Sequence, residues 1–358
     1  MTDHGPCDEV SDETYFRRFN AEIVRRRIPL MGSLALTHSC NLRCLHCYVS
    51  GDTRQDAEIS TATAVRILDE SAAAGCLYLL ITGGEPLLRP DFSVIYEHAR
   101  RLGMLVTVHT NGTMIDRDRL ALFRTFPPVA VEITLYGATA ATSEQVTGVR
   151  GSHDRCLAGV RALLDAQVPV RLKTMVLTCN RHEVKAMDAI ATDLGVRFRQ
   201  DAAVFPRLNG DRSPLQLRVP AADAVALEMT SERERDWCAL FERQRHLESG
   251  DRLYGCGSGV TAFHVDPWGG LHPCIMAHHI GVDLNRVSFA DAWRSLGADM
   301  AARRAPADLV CRTCDLKAMC GYCPAFFMLE TGSETTYSAY LCELGHERMK
   351  FVSGEPGR

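Results

Sequence analysis

From Leu34 to about Phe205 the chain alternates short, nearly continuous apolar runs with amphipathic stretches, six times over. The apolar runs predict strands at Leu34–Thr37, Leu77–Thr82, Leu105–His109, Val129–Leu135, Val170–Leu177 and Val196–Val204. Helices are predicted at Thr61–Ala74, Phe92–Leu102, Arg117–Phe123, Ser152–Ala166 and His182–Leu194, with a last one near Ala221–Met229. Strands that are apolar on both faces, each followed by a helix, imply a parallel sheet covered on its outer face. Six such units suit an open or partial barrel better than a closed one of eight strands. Ahead of them, Asp12–Arg27 reads as one charged helix with Tyr15, Phe16, Phe19 and Ile23 on a face that would pack on the barrel. Behind them the pattern breaks at Pro206, Gly210, Pro214 and Pro220, and Ser231–Arg252 becomes dense in Glu, Arg and Asp around Trp237, Leu240 and Phe241. That stretch reads as a linker and an amphipathic helix over the barrel's open side, its charges forming a wetted face.

In such a sheet the reactive groups gather at the carboxyl ends of the strands. The loop after the first strand is Cys40-Asn41-Leu42-Arg43-Cys44-Leu45-His46-Cys47, three cysteines spaced x3 and x2. Three thiolates can hold three corners of a four-iron cluster that needs four ligands, which leaves one iron open to bind and reduce something. A zinc-binding loop is the alternative that a C-x2-C pair alone would allow. The full C-x3-C-x2-C loop resembles the signature of the radical S-adenosylmethionine (SAM) superfamily, whose free iron chelates the amine and carboxylate of SAM. The resemblance implies that Cys40, Cys44 and Cys47 are the catalytic cluster ligands, and that His46, at a position usually aromatic, lies near the adenine.

The other strand ends extend the likeness. Thr82-Gly83-Gly84-Glu85-Pro86 matches the family's GGEP motif. Its glycines let backbone approach a ligand closely, and by resemblance Gly83, Gly84, Glu85 and Pro86 take up the SAM amino group. Thr110-Asn111-Gly112 is similar to the family's TNG turn, which makes Asn111 a candidate, although Asn-Gly is also an ordinary turn dipeptide. Strand four ends Thr134-Leu135-Tyr136-Gly137, where relatives often show Ser-x-Asp-Gly. Thr134 would then give SAM a hydroxyl, while Tyr136 stands in place of the acid. Arg150, within Gly148-Val149-Arg150-Gly151, is either a bidentate clamp for the SAM carboxylate or a solvated loop arginine. Lys173 of strand five is a further candidate.

Composition narrows the setting. The chain has 358 residues, 46% of them hydrophobic, enough for a sizeable core. The net charge is −4 with scattered basic residues, which recommends neither nucleic acid nor an anionic lipid surface as a partner. No apolar run is long enough to span a bilayer, and the acidic, polar Met1–Val10 is neither signal peptide nor anchor. Fifteen cysteines without export machinery imply a reducing, cytoplasmic compartment where thiolates bind metal. Cys7, Cys76, Cys156, Cys179 and Cys238 stand outside motifs and read as small buried hydrophobes, with Cys238 the exception.

A second cysteine set runs Cys256-x12-Gly269-x4-Cys274, then Cys311-x2-Cys314-x5-Cys320-x2-Cys323, then Cys342. Seven cysteines exceed one tetrahedral zinc site and fall one short of two. The layout, over about Tyr254–Gly345, resembles the SPASM extension of radical SAM enzymes. It implies a nearer auxiliary cluster on Cys256, Cys274 and Cys323 and a farther one on Cys311, Cys314, Cys320 and Cys342. Cys238, another protein group or the substrate would fill the nearer cluster's last position. The Cys320-x2-Cys323 spacing is x3 in many relatives, which loosens the assignment of individual cysteines. Sulfatase-maturing members place an aspartate directly after the second cysteine; Ile275 here argues against that reaction. His272, His278 and His279 surround Cys274 as bases, ligands or supporting groups.

The expected fold is therefore α/β, a partial (β/α)6 TIM-like barrel with a C-terminal cysteine-rich SPASM domain. Expected boundaries are a helical extension at 1–30, the barrel at 31–205, linker and helix at 206–252, the SPASM domain at 253–345 and a tail at 346–358. The resemblance implies reductive cleavage of SAM to a 5′-deoxyadenosyl radical that abstracts an unactivated hydrogen, with three [4Fe-4S] clusters and SAM as cofactors and flavodoxin or ferredoxin as reductant. SPASM members most often crosslink or dehydrogenate ribosomally made peptides, as in enzymes similar to those for pyrroloquinoline quinone and mycofactocin. The 39 residues before Cys40 are too few for a leading recognition domain, so a separate small protein is expected to deliver the peptide in trans. The alternatives are oxidation of a small molecule such as an aminocyclitol, a tetrapyrrole maturation step, a non-catalytic electron-transfer protein, or a zinc-stapled binding module.

Overall fold

A computed structural model describes residues 11–49, 57–244 and 250–353, so Cys7 falls outside the described residues. Its strands are β1 Met31–Ala35, β2 Tyr78–Thr82, β3 Leu105–Thr110, β4 Ala130–Thr134, β5 Val170–Met175, β6 Arg197–Asp201, β7 Ala262–Val265, β8 Gly270–His272 and β9 Val282–Asp283. They form one sheet in the order β6-β5-β4-β3-β2-β1-β7-β8-β9. Neighbours from β6 to β7 pair in parallel, and β8 and β9 add antiparallel turns at the far edge. This is the expected partial barrel of six βα units, widened by three strands from the cysteine-rich C-terminal region.

The helices are α1 Asp12–Arg26, α2 Thr61–Ala73, α3 Phe92–Arg101, α4 Arg117–Thr125, α5 Ala140–Thr147, α6 Ser152–Asp165, α7 Val184–Asp193, α8 Ala221–Glu228, α9 Ser231–Gln244, α10 Phe289–Ala302, α11 Pro324–Thr331 and α12 Ala339–Val352. Residues from the barrel and the C-terminal region share one hydrophobic core, from Leu34, Ile67 and Tyr96 to Phe263, Phe289 and Leu344. Among the described residues no helix is long and apolar enough to cross a membrane.

Three local differences from the sequence reading have physical causes. Strand β1 begins at Met31, three residues before the apolar run, because it is central: Met31, Gly32 and Ser33 pair with β2 on one side and β7 on the other. The face of α1 expected to pack on the barrel is mostly open to solvent. Tyr15, Phe16 and Phe19 are 57%, 58% and 38% exposed, and only Ile23, next to the helix end that meets the body, is buried. Helix α5 was not legible in the apolar pattern, since Ala140–Thr147 is built of small and polar residues. Its signal lies in its caps, the Thr139 side chain accepting from the Thr142 amide and Gly148 closing the helix at φ 65°.

Candidate active site

The cysteine loop is held from three sides. Its Arg43 and Leu45 amides donate to the Thr147 and Val146 carbonyls at the end of α5, at 2.8 and 3.0 Å. Within it, the Leu42 amide donates to Cys40 Sγ at 3.4 Å and the Cys47 amide to the Cys44 carbonyl at 3.1 Å. On the third side lies the loop after β2, where Gly84 and Glu85 amides donate to the Thr37 and Ser39 carbonyls at 2.7 and 2.9 Å. A Cβ on Gly83 would stand 2.3 Å from the Thr37 carbonyl oxygen, and one on Gly84 2.4 Å from that of Ser39. Gly83 also takes φ +146°, which side-chain-bearing residues rarely adopt. The glycines thus permit backbone to lie against backbone.

Glu85 and Pro86 sit behind this contact. Glu85 is fully buried and accepts from the Thr110 hydroxyl at 2.7 Å, the Asn111 amide at 2.7 Å and the Leu87 amide at 3.1 Å. Burial raises its pKa to about 6 against these donors. It ties the β2 loop to the β3 loop, and Pro86 opens a short helical turn below. Neither belongs to the wall of the cavity beside the cysteines. As placed here, Glu85 holds a positioning role, joining the loops from behind.

That cavity has a volume of about 400 Å³, within the usual range for a cofactor cleft. Cys40, Cys44, His46 and Cys47 line it together with Gly83, Gly84, Asn111, Thr134 and Tyr136. Asn111 Nδ2 lies 3.9 Å from Cys40 Sγ and donates to Asn41 Oδ1 at 2.8 Å, so the β3 turn also braces the cysteine loop. His46 is half-buried against the Tyr136 ring at 5.1 Å, and its buried Nδ1 has no hydrogen-bond partner among the described residues. Burial lowers its pKa to about 4, leaving a neutral ring. Arg150 is exposed and not part of the wall, so the structure gives its clamp no support.

Sequence reasoning passed over two features. Tyr136, which departs from the acid usual in relatives, lines the cavity beside Cys44 and against the His46 ring. Opposite, four barrel strands converge on Glu132: Lys173 Nζ and Arg199 Nη2 each lie 2.9 Å from Oε1, and His109 Nε2 lies 3.1 Å away. The Lys173 ammonium also donates to His109 Nδ1 at 2.9 Å, which requires a neutral imidazole whose Nε2–H faces the carboxylate. The desolvated cation-rich setting lowers the His109 pKa accordingly. The signal available in the sequence was a charged residue at the inward register of an otherwise apolar strand.

The C-terminal cysteines fall into two groups. Cys311, Cys314, Cys320 and Cys342 ring one small cavity of about 30 Å³. Cys256, Cys274 and Cys323 lie close enough to repel one another as thiolates. Ile275, directly after Cys274, lines the large cavity, which sets the second group beside it. Cys238 lies on α9 in a groove with Glu234 and Glu242, apart from both groups.

The residues fit the implied cofactors. Three thiols share a short loop, burial pushes Cys40 and Cys44 up so that their thiolates require an adjacent cation, and the cleft beside them offers polar groups around an adenosine-sized space. The model of the radical SAM superfamily matches residues 34–190. AdoMet-dependent heme synthase of Methanosarcina barkeri is 25% identical over 347 residues, 89% of this chain and 98% of that protein. Mycofactocin maturase MftC of Mycobacterium ulcerans is 30% identical over 304 residues, 82% of this chain and 80% of that protein. The crystal structure of Streptococcus suis SuiB bound to precursor peptide SuiA shares the fold with a TM-score of 0.69 at 17% identity, covering 96% of this chain and 84% of that one. The chain belongs to the radical SAM superfamily as an enzyme of its SPASM branch, with SAM and [4Fe-4S] clusters as its cofactors.

Proposed function

We propose that this enzyme oxidatively modifies a ribosomally made peptide, by crosslinking or dehydrogenation. The observation that carries the chemistry is the three-cysteine loop opening onto the glycine-lined cavity. Reductive cleavage of SAM at the open iron supplies one-electron chemistry able to take hydrogen from an unactivated carbon. Cys40, Cys44 and Cys47 hold the cluster. Gly83 and Gly84 turn backbone groups toward the SAM amine, Asn111 and Thr134 supply polar contacts, and His46 packs near the adenine. Tyr136 packs against His46 on the wall beside Cys44. Ile275 keeps the nearer auxiliary cysteines' side of the cavity apolar, which helps exclude water and leaves that position without a base.

The peptide substrate is carried over from mycofactocin maturase, which this chain matches along most of its length. A separate small recognition protein would present the precursor, and flavodoxin or ferredoxin would supply electrons. Cys256, Cys274 and Cys323 would hold one auxiliary cluster and Cys311, Cys314, Cys320 and Cys342 the other, the grouping of their side chains supporting that reading. The setting we infer is reducing and cytoplasmic, where the fifteen cysteines stay available to bind metal. The full-length match to AdoMet-dependent heme synthase favours a second reading, a tetrapyrrole substrate.

Anaerobic reconstitution tests the proposal. Protein holding roughly twelve irons, supplied with reductant and SAM, forms 5′-deoxyadenosine, and mass spectrometry of a precursor peptide shows loss of hydrogen. Total iron of about four refutes the auxiliary clusters. Turnover of an iron porphyrin carboxylate with peptide left intact selects the second reading.

A further inference from the structure

Among the described residues, one cluster of ligating side chains other than the cysteines lies outside the site described above. Strands β7 and β8 pair so that His264 stands opposite His272, which puts both imidazoles on one face of the sheet. Ser33 pairs with His264 on one side and with Leu80 on the other, and Leu80 lines the large cavity, so this is the barrel's inner face. The turn between the strands brings Asp266 back over them. Its Oδ1 accepts the Trp268 and Gly270 amides at 2.9 and 2.8 Å, while Oδ2 faces His272 Nε2 at 3.1 Å. His278, from the loop after Cys274, stacks on His272 with ring centroids 4.3 Å apart, and His264 lies 5.5 Å from His278.

The hydrogen bonds around His272 settle which of its atoms can ligate. Its Nδ1 lies 2.8 Å from the Ile280 carbonyl, which can only accept, so Nδ1 carries the hydrogen. Nε2 is then the ring nitrogen turned toward Asp266 Oδ2, 3.1 Å away, and the two atoms can share one cation. Imidazole nitrogens and a carboxylate oxygen gathered this closely are the donors that a divalent transition ion takes. A backbone carbonyl fixing the far nitrogen is the support that metal-bound histidines commonly have. Ser33 Oγ does the same for His264, 2.8 Å from its Nδ1.

We propose that Asp266, His272 and His278, with His264 beside them, form a mononuclear site for a divalent transition ion of the zinc class, separate from the iron–sulfur cysteines. Ligand atoms of the first three all lie within 4.8 Å of one another, close enough for one ion. Imidazole and carboxylate donors without thiolate suit such an ion and not a cluster. The site joins the edge of the barrel to the loop that carries Cys274.

The test uses cluster-loaded enzyme given zinc chloride and then desalted. The expected result is about one retained zinc per chain, with X-ray absorption showing nitrogen and oxygen neighbours at about 2.0–2.1 Å and no sulfur at about 2.3 Å. Asp266→Asn and His278→Gln each weaken zinc retention at least about tenfold while iron and sulfide contents stay at wild-type levels. His278 does not cap the turn, so its variant remains informative if Asp266→Asn disturbs folding. Zinc bound through sulfur, no zinc retained, or variants that hold as much zinc as wild type would each overturn the site.

Discussion

The loop carrying Cys40, Cys44 and Cys47 and the segment carrying Cys311, Cys314 and Cys320 present similar thiols in unlike settings. The first follows a strand paired on both sides, donates backbone hydrogen bonds within its own turn and to the end of α5, and rests on the glycine loop after β2. The second has one short helical turn, Val310–Arg312, leaves Cys314 exposed, and is completed by Cys342 from α12. One is arranged by protein hydrogen bonds before any metal arrives. The other is joined by turn hydrogen bonds and by the buried Met319, but its cysteines come from separate turns and a distant helix, so their mutual placement depends more on what they bind.

Removing single cysteines is the strongest way to break this comparison. Cys44→Ala should lower 5′-deoxyadenosine formation by more than about a thousandfold, because the cluster that meets SAM loses a ligand. Cys314→Ala should leave that reaction within about threefold while abolishing modified product and about four irons of the total. Liquid chromatography of the quenched reaction, with iron analysis beside it, reads both. Equal losses in the two variants would mean that the sites are not independent.

Stripping the iron is the next largest perturbation. Amides of residues 306–323 should then exchange at least about a hundredfold faster, equivalent to about 3 kcal/mol of lost local stability, whereas those of Arg43 and Leu45 should change by less than about fivefold. Hydrogen exchange resolved by mass spectrometry gives both numbers. Uniform loss of protection would show that the barrel loop, too, is shaped by its metal.

The same contrast explains what could be read from sequence. Barrel strands are apolar on both faces and end at motifs, so Thr82-Gly83-Gly84-Glu85 announces both a strand end and a ligand cradle. The role of Glu85 was not legible, because its partners Thr110 and Asn111 lie in another unit and only the folded sheet brings them together. Helix α5 was hidden by its small residues although its end carries the cysteine loop. In the C-terminal region cysteine spacing revealed the chemistry, but not that β7, three residues after Gly259, extends the barrel sheet, since a strand of four residues leaves little periodicity to detect.

Glu85 gives a smaller effect with a defined pH window. Its pKa in the fold, about 6, stands above the ordinary 4.5, so the folded chain binds this proton more tightly than the unfolded one. Its contribution to stability is present in full below pH 4.5 and is lost as pH rises through 6, a change of about 2 kcal/mol. Glu85→Gln lacks that titration. The difference in unfolding free energy between wild type and variant, measured by urea on the metal-free chain, should shift by about 2 kcal/mol across this range in favour of the variant at higher pH. A difference that stays flat with pH would show that the hydrogen bonds from Thr110, Asn111 and Leu87 fully offset burial.

Arg150 and Asn111 sharpen the comparison at its fine end, since both entered as candidate SAM contacts. Asn111 lies in the cavity wall and reaches Cys40 and Asn41, whereas Arg150 is exposed and offers its carbonyl, not its guanidinium, to Arg155 at 3.4 Å. Arg150→Ala should therefore change stability by less than about 0.5 kcal/mol and SAM affinity by less than about twofold. Asn111→Ala should weaken SAM binding about tenfold, the loss of roughly one well-placed polar contact. Equilibrium dialysis of SAM against cluster-loaded protein measures both. A tenfold loss in Arg150→Ala would require the loop between α5 and α6 to fold over the bound cofactor, which would make the barrel loop as dependent on its ligand as the C-terminal segment is on its metal.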